Sequence, residues 1–467
     1  MDSKILKITE AIKSGQSSAR QEVEKAIAAA KEKDALHALL EILEDEALAR
    51  ADEIDTRIKN GEDVGQLAGV PYVAKDNFLT TVGHTTAAAK ILENFKSPLN
   101  ATAIERLNAE GAILIGKANL DAFAHGGSTE NSAFGPTKNV VDPERVAGGS
   151  SGGSAAIVAA GVVPFALGSD TGGSIRQPAS FNGVVGYKPT YGMISRYGVV
   201  AMASSTDVVG PLARTVADVE LLSDILAGPD GRDSTVHDDY FAAQTNDQSL
   251  RIGLIREFIG EGVDSEVISR TKDFAERLKA AGHTVEEVDL PMAKYSLAIY
   301  YIVVPAEVSS NLARYDGVRY GLRSETAKSL DEVYGQSRDQ GFMPENKRRI
   351  MIGSYVLSSG YFDAYYLQAQ KARTLLIQEF DTLFEKYDFL VSPTAPTPAF
   401  KLGENTADPI KMYLADAMTV PPSLAGLPAL SLPNGVNDRG IPIGVQIIAR
   451  QKDDARLLSF AKTVEVK

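Results

Sequence analysis

The 467-residue chain contains no cysteine and only five histidines. Without cysteine it has no disulfide framework, no thiolate ligands for zinc or iron–sulfur clusters, and no cysteine nucleophile. Cationic residues are also in the minority, with 48 Lys and Arg against 61 Asp and Glu, so broad electrostatic attraction of a polyanion is not expected. If the function involves nucleic acid, we expect a partner chain to bind most of it.

Long apolar runs are equally scarce. The longest uncharged stretch, residues 146–169, consists largely of Gly, Ser, Ala and Val and includes Pro164. It does not resemble the run of about 20 large apolar residues that crosses a bilayer. Residues 1–16 carry acidic groups and have neither an apolar signal region nor an Arg-rich transit pattern. These absences predict a cytoplasmic protein that does not enter a membrane.

The apolar residues that are present, 44% of the chain, are spaced as in a folded globular protein. Residues 1–60 have helical periodicity, including the Leu-rich run 36–43, and are predicted to form a helical N-terminal segment. After Gly61, short apolar strands alternate with helices. This alternation predicts an α/β fold, which we expect to be a single domain over residues 61–467.

Two strand–helix–strand units carry this prediction. The first unit has strands at 69–74 and 111–116 around a helix at 102–110. The second unit follows a polar segment at 229–249. It has strands from Arg251 and at 283–288 around a helix at 265–281. A helical insertion is predicted at about 321–385. Further strands are predicted from Phe389, Ala429 and Pro442, followed by a closing helix at 453–466.

The most unusual stretch is rich in glycine and serine. Between Gly148 and Ser174 it has eight glycines, five serines and Asp170 as its only charged residue. A tight helix–sheet turn is one interpretation. A phosphate-binding loop is another, although no Lys follows as in GxxxxGK[ST]. The second cluster, GSDTGGS at 168–174, favours a third interpretation, an oxyanion hole, because paired glycines can direct successive N–H groups at an oxyanion.

A serine nucleophile needs a base, and Ser174 is the natural nucleophile of this cluster. Of the histidines, His84 and His125 are expected to lie closer to the Gly-rich core than the others, but no motif places them. Lys75 is the better candidate base because it ends an apolar strand, where burial favours the neutral amine. Asp76 would oppose this effect if it faced Lys75, but neighbouring strand residues point to opposite faces.

Lys75, the GGSSGGS run at 148–154 and the SDTGGSIRQP run at 169–178 resemble the amidase signature family. The resemblance implies the amidase-signature fold, a large mixed twisted β-sheet covered by helices on both faces. It also implies a Ser–cis-Ser–Lys triad: Ser174 as nucleophile, Ser150 as the bridging serine after a cis Gly149–Ser150 bond, and Lys75 as base. The backbone of Thr171, Gly172 and Gly173 would form the oxyanion hole, and Ser151 would support the loop.

Further blocks resemble the A subunits of glutamyl-tRNA(Gln) amidotransferases. They lie at 128–139, 188–211, 309–321, 347–366 and 423–435. This resemblance implies a glutaminase that hydrolyses L-glutamine and supplies ammonia to a B subunit, which converts misacylated Glu-tRNA(Gln) with ATP and magnesium. A small C subunit completes the heterotrimer. The tRNA would be bound mainly by the B subunit, and the chain itself would bind no cofactor or metal.

The same resemblance implies a clamp for the charged groups of glutamine. It points to an Arg of the KRRI block, Arg349 in preference to Arg348, for the α-carboxylate and to Asp416 for the α-amine. Tyr300 or Tyr301 would close the pocket. The sequence departs from the family pattern near the expected pocket: His125 occupies a position where the family more usually has Met. Two alternatives stay open at this stage: a free-standing amidase of small amides, which would not need the clamp, and a catalytically silent scaffold.

Overall fold

A computed structural model describes residues 1–237 and 249–465. The strands of these residues form one sheet and are β1 (Leu39–Ile42), β2 (Pro71–Lys75), β3 (Ile113–Ala118), β4 (Phe165–Asp170), β5 (Val185–Lys188), β6 (Val208–Ala213), β7 (Arg251–Ile255), β8 (Thr284–Val288), β9 (Phe389–Pro393), β10 (Ala429–Val436) and β11 (Pro442–Ala449). The α-helices are α1 (Lys4–Lys13), α2 (Ala19–Glu32), α3 (Glu44–Lys59), α4 (Thr102–Ala109), α5 (Gly152–Ala159), α6 (Arg176–Asn182), α7 (Val216–Leu226), α8 (Ser265–Ala280), α9 (Ser296–Asn311), α10 (Leu330–Gly341), α11 (Pro344–Val356), α12 (Leu367–Phe384), α13 (Pro409–Leu414), α14 (Val420–Leu424) and α15 (Asp454–Val464).

The sheet has the strand order β1-β3-β2-β4-β6-β5-β10-β11-β9-β7-β8 and is mixed. The pairs β2–β3, β2–β4, β7–β8 and β7–β9 are parallel, and the others are antiparallel. Successive strand residues point to opposite faces, so Phe389 and Val391 of β9 join one apolar cluster and Leu390 joins another. Helices cover both faces, as the sequence predicted.

Both predicted strand–helix–strand units are present. The central helices α4 and α8 fall within one residue of their predicted bounds, and β2, β3, β7 and β8 form at the predicted places with shifts of one or two residues. Strands β9, β10 and β11 and the closing helix α15 also agree. Val466, the last residue of the predicted closing helix, and most of the polar segment 229–249 lie outside the described residues.

The prediction for the N-terminal segment is wrong at one place. The Leu-rich run 36–43 was expected to be helical, but Leu39–Ile42 forms β1, whose Ile42 pairs with Gly116 in antiparallel register against β3. A short apolar run has no periodicity that separates a helix from a strand, and pairing with the edge of the sheet decides it. Residues 1–60 therefore contribute three helices and an edge strand.

The helical insertion is also more divided than predicted. Within 321–385, helix begins only at Leu330, and Pro344 starts a new helix at its first position, where a missing N–H costs no helical hydrogen bond. A π-helical turn at Phe362–Tyr366 precedes α12. None of the helices in the ranges 1–237 and 249–465 is long and apolar enough to span a bilayer.

Candidate active site

The site is built where two parallel strands end. Lys75 is the last residue of β2, and Ser169 lies near the end of the neighbouring β4. The carboxyl ends of parallel strands lie at the same edge of a sheet, which brings these residues together. The buried Lys75 Nζ lies 2.7 Å from Ser150 Oγ, 3.0 Å from Ser169 Oγ and 3.3 Å from the Ser169 carbonyl oxygen.

The electrostatics of Lys75 suit a base. Burial disfavours its ammonium form and lowers the pKa to about 7, although Asp121, Asp170 and Asp207 act in the opposite direction. Asp76 does not join them, because its carboxylate pairs with the buried Lys117 at 3.2 Å. The predicted opposite orientation of Lys75 and Asp76 is therefore confirmed. A large fraction of Lys75 is neutral at neutral pH and can accept a proton from Ser150.

The first serine cluster surrounds this amine. The Gly149–Ser150 peptide bond is cis, and α5 begins two residues later. Ser151 donates its backbone N–H to the Ser174 carbonyl at 3.1 Å and its hydroxyl to the Ser169 carbonyl at 3.2 Å, in the supporting role expected for it. No hydrogen bond joins Ser150 Oγ to Ser174 Oγ within the described part of the chain. Ser174 nevertheless belongs to the loop that Ser151 holds against Ser150.

The second cluster forms a rigid loop around Asp170. This carboxylate accepts hydrogen bonds from the N–H groups of Gly173 at 2.8 Å and Ile175 at 3.1 Å, and it pairs with the buried Arg176 at 2.9 Å. The Gly173 N–H therefore already has Asp170 as an acceptor, and its part in the oxyanion hole stays a prediction. The N–H groups of Thr171 and Gly172 also remain candidate donors.

Glycine is required at 172 and 173 by close contacts. A Cβ atom at residue 172 would lie 2.8 Å from the ring of Tyr300, and one at residue 173 would lie 2.2 Å from Thr419 Oγ1. Gly173 also has φ +145°, which L-residues with a side chain rarely adopt. Tyr300 and Thr419 thus hold the loop closely from the outside, and Thr419 donates its hydroxyl to the Gly172 carbonyl at 2.7 Å.

Three residues that the sequence analysis did not select support this arrangement: Ser169, Gln177 and Asp121. The Gln177 side chain accepts from the Gly149 N–H at 2.9 Å and donates to the Gly127 carbonyl at 2.7 Å, so it joins two loops of the site. Ser169 and Gln177 lie inside the SDTGGSIRQP run, and that run was the available signal for them. Nothing in the sequence around Asp121 indicated its position beside Gly149.

A cavity of about 280 Å³ opens beside these loops. Its wall includes Asp121, His125, Tyr301, Arg349 and Asp416. The two residues of the predicted glutamine clamp, from distant parts of the chain, are therefore brought to one cavity. Asp416 also lies close to the loop that contains Gly172, Gly173 and Ser174. Its backbone carbonyl accepts the N–H of Thr419, and the Thr419 hydroxyl donates to the Gly172 carbonyl of that loop.

Arg349 is held in place by its neighbours. It is 3% exposed, its Nε donates to Glu345 Oε1 at 2.9 Å, and its guanidinium lies 5.3 Å from the centre of the Tyr301 ring. Tyr301 stacks on Tyr413 with ring centres 3.8 Å apart. Arg348 has an exposed side chain that also contacts Glu345. Both arginines line the cavity, but the burial of Arg349 favours it over the exposed Arg348 as a ligand for a buried anion. Of the two candidate tyrosines, Tyr301 lines the cavity.

Asp416 provides the opposite charge when it is ionised. Burial raises the pKa of its carboxyl to about 8, and the nearby Arg349 acts against that increase without cancelling it. A cationic ligand would favour the ionised form. Of the two histidines expected closer to the Gly-rich core, His84 lies 3.1 Å from Glu41, whereas His125 lies in the cavity wall. In the described ranges, no group of three or more His, Asp or Glu is arranged to hold a metal ion.

A sequence model of the amidase family matches residues 21–458. The chain belongs to the amidase family. This amidase is 54% identical to the A subunit of the glutamyl-tRNA(Gln) amidotransferase of Thermosynechococcus vestitus over 435 residues, which cover 92% of this chain and 90% of that protein. The corresponding protein of Geobacillus thermodenitrificans, also named as an A subunit of this amidotransferase, is 52% identical with the same coverage.

The amidase also resembles solved structures. The crystal structure of the A subunit of the glutamyl-tRNA(Gln) amidotransferase from Thermotoga maritima is 39% identical, with a TM-score of 0.78, covering 94% of this chain and 90% of that one. A bacterial aryl acylamidase of the amidase signature family is 27% identical, with a TM-score of 0.82 over 97% of this chain and 93% of that one. The predicted amidase-signature fold is therefore confirmed.

Proposed function

We propose that this amidase is the glutaminase component of a glutamyl-tRNA(Gln) amidotransferase. The observation that carries the choice of substrate is the joint position of Arg349 and Asp416 in one cavity, next to the loops of Ser150 and Ser174. L-Glutamine carries an α-carboxylate and an α-ammonium group, and a buried charged substrate needs a partner for each. The amidotransferase relatives of high identity support the same substrate.

The acylation step begins at Lys75. Its neutral amine accepts the proton of Ser150 Oγ, and Ser150 in turn accepts the proton of Ser174. Ser174 Oγ forms a bond to the side-chain amide carbon of glutamine, and the carbonyl π electrons move to the oxygen, where the N–H groups of Thr171 and Gly172 stabilise the negative charge. When the C–N bond breaks, the Lys75 proton passes through Ser150 to the leaving nitrogen, and ammonia departs.

Water completes the cycle. It attacks the glutamyl ester of Ser174 while the Ser150–Lys75 pair accepts its proton. The ester C–O bond then breaks to release glutamate, and Lys75 returns the proton through Ser150 to Ser174 Oγ. The ammonia is used by a B subunit, which consumes ATP with magnesium to convert misacylated Glu-tRNA(Gln), with a C subunit completing a heterotrimer. In this proposal the tRNA contacts mainly the B subunit, and the assembly is cytoplasmic.

Replacing Arg349 by Met tests the choice of substrate. We expect kcat/KM for L-glutamine to fall about a hundredfold, because the α-carboxylate loses its buried cation, while kcat/KM for butyramide stays within about threefold. Arg348→Met is the matched control: it removes the adjacent, exposed arginine and should leave both substrates unaffected. Ammonia release measured on the co-purified assembly gives these values.

Other outcomes of this measurement favour the other functions. Equal loss on glutamine and butyramide, or no loss on either, would favour a free-standing amidase without a zwitterion clamp. Wild-type protein that hydrolyses no amide while it still binds its partners would favour a silent scaffold.

The pH dependence follows from Lys75 and Asp416. In the free enzyme Lys75 must be neutral and Asp416 ionised, so each must lose a proton to become active. The pKa values of about 7 and about 8 predict that log kcat/KM for glutamine rises with pH between 6 and 8, with a slope that steepens towards two below pH 7. Asp416→Asn should reduce that slope to one. A flat profile from pH 6 to 8 would contradict the assignment of both groups.

A further inference from the structure

His125 is a fully buried histidine in the wall of the cavity that contains Arg349 and Asp416. At this position the family motif more usually has Met, an apolar side chain. The imidazole therefore places in the wall of the pocket a hydrogen-bonding group that the motif does not require. The protonation state and orientation of the His125 ring determine which group of a ligand it can hydrogen-bond.

The neighbouring Asn346, on α11, determines the tautomer. Its Oδ1 accepts the backbone N–H of Met343 at 3.1 Å, and its Nδ2 donates to the Ala122 carbonyl at 2.8 Å. These two bonds orient the amide, so the Nδ2 group that lies 2.6 Å from His125 Nδ1 is a donor. Nδ1 must then be the acceptor, and the ring hydrogen of neutral His125 resides on Nε2.

That Nε2–H group has no hydrogen-bond partner in the part of the chain that the structure describes. The Nε2 atom is itself buried. Burial, reinforced by the charge of Arg349, lowers the pKa of His125 well below its ordinary value, so the ring is neutral at neutral pH. A buried donor without an acceptor is rare in native proteins unless it serves a ligand.

We propose that His125 Nε2–H donates a hydrogen bond to the α-carboxylate of bound glutamine, next to Arg349, and so determines specificity for substrates with that group. The role rests on the proposed glutaminase function. A neutral N–H donor complements a carboxylate and has nothing to offer the α-ammonium, which is itself only a donor and has Asp416 as its partner. A Met at this position would leave the carboxylate to Arg349 alone.

Two analogues of glutamine separate the contributions of its charged groups. Glutaramate retains the carboxylate and lacks the amine, and 4-aminobutanamide retains the amine and lacks the carboxylate. For His125→Met in the co-purified assembly, we expect KM for L-glutamine and for glutaramate to rise about tenfold, with kcat within about threefold, because one hydrogen bond to a charged group is lost. KM for 4-aminobutanamide should not change. His125→Gln, which keeps an N–H donor, should restore most of the affinity.

A spectroscopic measurement complements the kinetics. In ¹⁵N-labelled Ser174→Ala protein, the His125 Nε2–H resonance should shift when glutaramate is added and stay in place with 4-aminobutanamide. Unchanged KM values for His125→Met overturn the proposal, as does an equal rise for all three substrates, which would indicate a structural role. Wild-type assembly that releases no ammonia from glutamine is a different result: it overturns the proposed function and this role with it.

Discussion

Ser174→Ala should abolish ammonia release from L-glutamine, with kcat lowered by roughly 10⁴- to 10⁶-fold. The alanine has no hydroxyl with which to form the acyl ester. Glutamine binding should persist, because Arg349 and Asp416 are unchanged. Isothermal titration of the variant with glutamine, beside the ammonia assay, checks both parts of this expectation.

Ser154→Ala is the matched control for this variant. Ser154 belongs to the GGSSGGS run that also contains Ser150 and is buried like Ser174, but its hydroxyl donates to the Leu167 carbonyl at 2.9 Å. Its loss should cost about 1 kcal/mol of folding stability and leave kcat within about threefold. If Ser174→Ala retained more than about 1% of the wild-type kcat, another residue would be the nucleophile.

Lys75→Met should lower kcat for glutamine by about 10³-fold or more, because neither Ser150 nor Ser174 can lose its proton without the neutral amine. Methionine fits the buried position without a charge, so the protein should fold. The remaining activity should also lose the rise with pH that centres near 7 in the wild type. Steady-state ammonia release between pH 6 and 9 measures both effects.

Lys188→Met provides the matched control. Lys188 is also fully buried, with a pKa that burial lowers to about 7, but its amine donates to the Pro189 carbonyl at 3.0 Å and contacts neither serine of the site. We expect its kcat to stay within about threefold of wild type and its pH profile to be unchanged. Similar losses in both lysine variants would mean that removing any buried amine damages the fold, and the assignment of Lys75 as base would then lose this support.

The residues around Asp121 and Gln177 show why part of the site could not be predicted. Each acts through hydrogen bonds to other loops: Asp121 accepts from the Thr129 and Asn131 N–H groups of the loop that follows it, and Gln177 joins the more distant Gly127 to Gly149. Such partners depend on how loops meet above the sheet. Arg349 and Arg348 are adjacent in sequence, and only the burial of one of them in the cavity separates their roles.

The sequence by itself determined the alternation of strands and helices, the likeness to the amidase signature family and the selection of Lys75, Ser150 and Ser174, because hydrophobic periodicity and the Gly–Ser runs are local patterns. Only the tertiary structure decided that Leu39–Ile42 pairs as an edge strand and that Asp170 accepts the Gly173 N–H. It also decided that His125, in the cavity wall that includes Arg349, has a ring nitrogen without a partner among residues 1–237 and 249–465. Strand register and the partner of each buried polar group arise from contacts between residues far apart in the chain, and a local pattern does not specify them.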